Sequence, residues 1–188
     1  MEDPTRVDLS VDPLTQRLAG GTHYDVNFDV PYMSHVTGNL WQGGCANGLI
    51  LPTNIEHVVS LYPWETYTIR HDLKSMLRVV MYDSTEQAFG QVEAIARWVA
   101  ACIDDGPTLV HCQAGLNRSG LIAAVALVAK GMHAPEAIAL LREQRANPDG
   151  TSAVLCNPAF EQHVLGLRPY LGFVADEYAA FVAQREAA

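Results

Sequence analysis

Apolar residues recur along this chain with two different periods. Between residues 86 and 103 they fall at Phe89, Val92, Ile95, Ala96, Val99 and Ile103. This three-and-four spacing places one stripe on one face of a helix. Residues 119–130 are apolar on nearly every side, which predicts a central helix buried all round and ended by Gly131. Residues 135–145 predict another, with Pro135 in the first turn, where its missing N–H costs nothing. Further helices are expected over 158–165 and 169–184. Between these stretches lie short runs of another kind: 39–42 before Gly43-Gly44, then 57–61, 77–82 and 108–111. They are too short for helices, and those at 57–61, 77–82 and 108–111 carry β-branched residues, so all four predict short strands. Asp104-Asp105-Gly106-Pro107 is a turn in composition. Strands that alternate with helices predict an α/β domain with a central, mostly parallel sheet of about four to five strands, flanked by helices.

Residues 1–35 carry Pro, Asp, Gly and Asn at frequent intervals. They predict an N-terminal arm, loosely ordered or packed on a domain that occupies 36–188. The total of 188 residues suits one domain with a core of its own. The net charge of −9 argues against general nucleic-acid or anionic-membrane binding. No apolar run approaches the ~18 residues of a membrane span. The opening MEDPTRVDLS has neither the basic start nor the apolar core of a signal peptide, so a cytoplasmic address is expected. The four cysteines, Cys45, Cys102, Cys112 and Cys156, make no CxxC pair, and the seven His make no HxH or HExxH spacing. No metal site is expected.

One short segment changes the picture. Residues 111–120 read HCQAGLNRSG, between a predicted buried strand and a predicted buried helix. A tight loop there delivers the backbone N–H groups of Gln113, Ala114, Gly115, Leu116 and Asn117, and the next helix points its positive end at the same spot. Together they make an anion site. Arg118 adds a planar, permanently charged fork matched to phosphate oxygens. Cys112 lies in that positive field, which favours its thiolate. A charged nucleophile facing a tetrahedral anion is what phosphoryl transfer to sulfur needs. Taken singly, Cys112 reads as a core cysteine and Arg118 as a surface charge. The combination H-C-x-x-G-x-x-R-[S/T] arises by chance in about one chain of this length in 10⁵.

HCQAGLNRSG resembles the HC-x5-R-[ST] signature of the cysteine-dependent protein tyrosine and dual-specificity phosphatases. NLWQGG resembles the opening strand of dual-specificity domains, MYDSTEQ the loop that carries the family's catalytic aspartate, and CNPAFEQHV the start of a C-terminal helix. The resemblance spans roughly residues 36–166 and implies a compact phosphatase of the dual-specificity type. It implies Cys112 as nucleophile, Arg118 as phosphate ligand and Asp83 as general acid and base, with no metal or organic cofactor. The alternative for Asp83 is a helix cap, since DSTE has the form of a capping box. Asp72 is the second candidate acid. Ser119 could donate to the sulfur as it leaves, or cap the next helix. His111 is expected to orient the loop, and Asn117 to accept a left-handed backbone within it. Tyr62 and Trp64 could rim the pocket, and Arg70, His71 and Lys74 form the other basic cluster.

Phosphorylated proteins are the expected partners, with phosphotyrosine and phosphoserine or phosphothreonine as substrates. Three alternatives stand beside this reading. One is a phosphatase of the same fold acting on an RNA 5′-triphosphate or a phosphoinositide. The uncharged loop positions argue against the lipid, and the net charge against RNA. A non-catalytic phosphate-binding module would have no reason to keep Cys112, Arg118 and Asp83 together. A rhodanese-type sulfurtransferase is disfavoured by the His before Cys, the five-residue gap and the Ser after Arg. Oligomeric state is not legible in the sequence.

Overall fold

The computed structural model describes residues 12–168. The chain enters through an antiparallel hairpin of β1 (Arg17–His23) and β2 (Val26–Pro31). Tyr24 and Asp25 turn it with φ of 47° and 60°, the pair of left-handed residues that a two-residue hairpin turn demands. The composition of 1–35 had predicted only an arm. Within residues 12–35 the turn-forming residues serve a hairpin and the strand after it.

A five-stranded sheet follows, made of β3 (Met33–Thr37), β4 (Leu40–Gly43), β5 (His57–Ser60), β6 (Ser75–Arg78) and β7 (Thr108–His111). Its order is β3-β4-β7-β5-β6. β3 is antiparallel to β4, and the other pairings are parallel. β7 therefore sits at the centre with all four residues buried, which is why its sequence is a short continuous run without polar alternation on either side. Among the described residues four helices accompany the sheet: α1 (Gly90–Asp105), α2 (Arg118–Ala129), α3 (Ala134–Gln144) and α4 (Pro158–Leu165).

The two faces of the sheet are covered differently. Leu40, Val59 and Val110 pack into one core with the buried residues of all four helices. Val58 and Leu109, their neighbours in sequence, point the other way, into a second core with Met33, Cys45, Leu49, Leu51, Ile55 and Tyr67. In α2 every residue from Ser119 to Val128 is buried, as its all-round apolar sequence requires.

Two expectations are corrected in detail, and a third is untested. The strand expected over 77–82 is β6, Ser75–Arg78. α1 opens at Gly90 behind Phe89, with no side-chain cap, so Ser84, Thr85 and Glu86 precede the helix and Asp83 does not cap it. The tail helix expected over 169–184 lies outside the described residues.

Candidate active site

The segment between β7 and α2 leaves the carboxyl end of the central strand, where open α/β sheets place their ligands. Five consecutive carbonyls of that segment are held by the scaffold around it. Gln113 O accepts from Cys45 N (2.9 Å), and Asn117 O from Leu121 N (2.7 Å). Gly115 O accepts from Gln42 Nε2 (2.9 Å). Ala114 O accepts from Arg145 Nη2 and Leu116 O from Leu155 N, each at 3.4 Å. In a trans peptide the C=O of one residue and the N–H of the next point in opposite directions. Tying these carbonyls outward turns the N–H groups of residues 114–118 inward. Gly115 N accordingly lies 3.3 Å from Cys112 Sγ. Among the described residues, none of the N–H groups of Gln113, Ala114, Leu116 and Asn117 donates to a backbone carbonyl.

Gly115 permits this closure. Its φ is +75°, and a Cβ there would lie 2.4 Å from Gly43 C and Gly44 N. The left-handed residue of the loop is thus Gly115, where Asn117 had been the expectation. Asn117 has a right-handed backbone (φ −88°, ψ −65°). Its side-chain oxygen accepts from Asn157 N at 3.0 Å and Cys156 Sγ at 3.5 Å.

Cys112 is 2% exposed. Its sulfur lies 3.5 Å from Ser119 Oγ, which is 3.4 Å from Gln42 Nε2. Ser119 stands inside the first turn of α2 and is not its cap; Asn117 holds that position. His111 is fully buried, with Nδ1 3.3 Å from Cys112 O and its ring edge-on to Tyr67. Burial pushes its imidazole down to about 4, so it is neutral at physiological pH and orients rather than carries a proton.

Arg118 spans two segments. Its Nη1 donates to Met81 O at 3.2 Å, and its guanidinium lies 5.0 Å from the Tyr62 ring centroid. Tyr62 flanks the arginine and in turn packs on Trp64. Among the described residues Arg118 Nε is buried without a partner. A buried donor left unpaired costs about 1–3 kcal/mol, and an anion in the loop would satisfy it.

Asp83 is joined to the loop through Asn157. Asn157 Nδ2 donates to Asp83 Oδ1 at 2.9 Å, while His23 Nε2 lies 2.8 Å from Oδ2. Burial by itself would raise the carboxyl pKa. The contacts from His23 and Asn157, with Asn117 acting in the same direction from outside good hydrogen-bond geometry, outweigh it and leave the pKa below the ordinary carboxylate range. Asp72 is exposed on the approach to β6 and makes no hydrogen bond to the loop. Asp104 and Asp105, expected as turn residues, bind Lys130, and Lys74 with His57, respectively. Lys74 is also paired with Glu56 at 2.7 Å, and His71 Nε2 with Ile55 O at 2.7 Å, so these two members of the basic cluster serve local structure.

Sequence reasoning missed one residue beneath the loop. Arg145, which ends α3, is 0% exposed. It donates to Ser34 Oγ (2.9 Å), Gln42 O (3.2 Å), Pro31 O (2.9 Å) and Ala114 O. All four acceptors are neutral. Burial lowers its pKa to about 10, opposed by Cys112 and Tyr67, which leaves a buried cation under the loop at neutral pH. The signal was present: residue 145 falls four after Leu141, on the face that carries Ala137, Ile138 and Leu141.

The model of the dual specificity phosphatase catalytic domain matches residues 48–153. The chain belongs to this family. Its curated relatives include the dual specificity protein phosphatase OPG106 of Vaccinia virus (strain Copenhagen), 24% identical over 138 residues, covering 71% of this chain and 80% of the relative. The dual specificity protein phosphatase H1 of Variola virus matches to the same extent. Among solved structures, a mouse putative dual specificity phosphatase superposes with a TM-score of 0.56 at 20% identity, over 71% of this chain and 86% of its own. The Orf virus tyrosine phosphatase OH1 superposes with 0.52 at 18% identity, over 85% and 91%. These structures share the fold. In this dual specificity phosphatase the loop of residues 111–119 lies inside the matched segment, and the N-terminal hairpin lies outside it. Among the described residues no helix is long and apolar enough to cross a membrane.

Proposed function

We propose that this cysteine-based phosphatase hydrolyses phosphate monoesters on phosphotyrosine and on phosphoserine or phosphothreonine of proteins, through a phosphocysteine at Cys112. The observation that carries the reading is the loop itself. Five scaffold-held carbonyls aim consecutive N–H groups at the space beside Cys112 Sγ, and the unpaired Nε of Arg118 is the donor left to meet the same anion.

In the first step the Cys112 thiolate attacks phosphorus. The S–P bond forms, the P–O bond to the leaving group breaks, and Asp83 gives its proton to the departing oxygen. In the second step Asp83 takes a proton from water, the water oxygen bonds to phosphorus, and the S–P bond breaks. Ser119, 3.5 Å from the sulfur, donates to the thiolate as it leaves. Ala114, Gly115, Leu116 and Asn117 contribute N–H groups, and Arg118 its N–H and its fork, to the equatorial oxygens. This is preorganised electrostatics, the main lever in phosphoryl transfer. His111, neutral and buried, fixes the loop. Asp83 must hold a proton when substrate is bound, although its hydrogen bonds favour the anion. A phosphate dianion placed beside it raises its pKa in the required direction.

The test is phosphate release from matched phosphotyrosine, phosphoserine and phosphothreonine peptides in EDTA, with Cys112→Ser alongside. Release by the wild type alone supports the reading, and the ratio among peptides sets the preference. Intact peptides with a cleaved aryl phosphate would move the substrate to lipid or RNA phosphates. No cleavage at all would leave a binding module.

A further inference from the structure

The hairpin lies outside the segment matched by the family model, yet its tip reaches Asp83. His23 is the last residue of β1, and its Nε2 is 2.8 Å from Asp83 Oδ2. The other carboxylate oxygen is taken by Asn157 at 2.9 Å, so the carboxylate is gripped at both oxygens, from opposite ends of the chain. The Asp83 side chain is 14% exposed and that of His23 37%, so this is not a solvated surface pair.

The hairpin is fixed well enough to hold a side chain in place. Val30 of β2 is fully buried in the helix-side core. Asn147, beyond α3, accepts from Asp29 N at 2.7 Å and donates to Asn27 O at 2.9 Å. At the tip, Cys156 Sγ lies 3.5 Å from His23 O, and the Tyr24 ring packs edge-on against the imidazole. Tip and base are both anchored to the phosphatase domain.

We propose that the N-terminal hairpin is a working part of the active site and that His23 is a positioning residue, which fixes the orientation and charge of the Asp83 carboxylate. This rests on Asp83 being the general acid. The ionisable groups that face Asp83 are His23 and Tyr24 from the hairpin and Cys156 from the segment before α4; Asn117 and Asn157 face it as neutral amides. Of these contacts, His23 makes the largest contribution that lowers the Asp83 pKa. The sign follows directly. A leaving group that needs a proton departs only while Asp83 is protonated, so activity falls as pH rises through its pKa. Removing His23 raises that pKa and carries the basic limb of the pH profile upward.

The experiment measures kcat/KM against pH for phenyl phosphate, a poor leaving group, and 4-nitrophenyl phosphate, a good one. The proteins are the wild type, His23→Ala, His23→Gln and Asp83→Asn, with thermal melts to confirm folding. Asp83→Asn should lose roughly 10²-fold more on phenyl phosphate than on 4-nitrophenyl phosphate. With that established, His23→Ala should move the basic limb for phenyl phosphate to higher pH. His23→Gln, which keeps an N–H donor, should lie closer to the wild type. If His23→Ala does not fold, His23→Asn, too short to reach Oδ2, takes its place. A limb that stays put or moves down, while Asp83→Asn still discriminates between the two esters, overturns the role of His23. An Asp83→Asn variant that does not discriminate overturns the general-acid reading itself.

Discussion

Gly115→Ala isolates the claim that the shape of the loop, and not merely its residue content, is what catalyses. The added Cβ would lie 2.4 Å from Gly43 C and Gly44 N and 2.7 Å from Gly43 O. These are backbone atoms of β4 and the residue after it, so they cannot rotate away. Restoring ordinary contact means a displacement of about 1 Å, and a left-handed Ala adds about 1–2 kcal/mol of its own. With overpacking of about 1–3 kcal/mol, the total is about 2–5 kcal/mol of lost stability. The same shift draws Gly115 N from Cys112 Sγ and Gly115 O from Gln42. A misplacement of this size at reacting groups costs roughly 10²-fold in rate. Gly38 and Gly131 supply the controls, because both have positive φ (50° and 99°) and open space around the would-be Cβ. Gly38→Ala and Gly131→Ala should lose only the backbone part of the stability and none of the activity. Single-turnover cleavage of an aryl phosphate and urea unfolding of the three variants read both quantities. A Gly115→Ala enzyme within about twofold of the wild type would refute the reasoning.

Arg118→Lys keeps the charge but loses the planar fork, and kcat/KM on any ester should fall by roughly 10²-fold or more. Ser119→Ala should slow the second step selectively. Losing a hydrogen bond to a charged sulfur costs roughly 1.5–3 kcal/mol, or about 10–100-fold, so rapid-quench traces should show a burst approaching one leaving group per enzyme. Arg145→Lys should lower stability by about 2–4 kcal/mol in urea unfolding, because an ammonium cannot reach acceptors spread over Pro31, Ser34, Gln42 and Ala114.

The placement of residues 111–119 was legible because it is local. A cysteine, a guanidinium and a glycine at fixed spacing need only a strand on one side and a helix on the other, and both announce themselves by their apolar runs. The strands β5 and β7 were legible for the same reason: each is buried on both faces and so nearly unbroken. The hairpin was not, because Gly20-Gly21, Asp25 and Asn27 break the alternation that would mark β1 and β2. Gly20-Gly21 make the bulge between Ala19 and Gly21 and Asp25 belongs to the tight turn, and neither can be told from a loop by composition. The His23–Asp83 contact joins residues 60 apart in sequence, and nothing local to either one points to the other. Arg145 was hidden by its type: arginine is rarely buried without an anion, although its position on the apolar face of α3 marked it. The capping box proposed at Asp83 failed because Gln87, Ala88 and Phe89 separate Glu86 from the helix, which opens at Gly90 without any side-chain cap.

The most direct test of the account is to trap the intermediate. Ser119→Ala enzyme, mixed with a phosphotyrosine peptide and quenched within its first turnover, would be digested under conditions that preserve thiophosphate bonds and read by mass spectrometry. The account requires one phosphate on the peptide that contains Cys112, absent from Cys112→Ser enzyme treated in the same way. Turnover that continues with no phosphate on Cys112, or that survives Cys112→Ser, would contradict it.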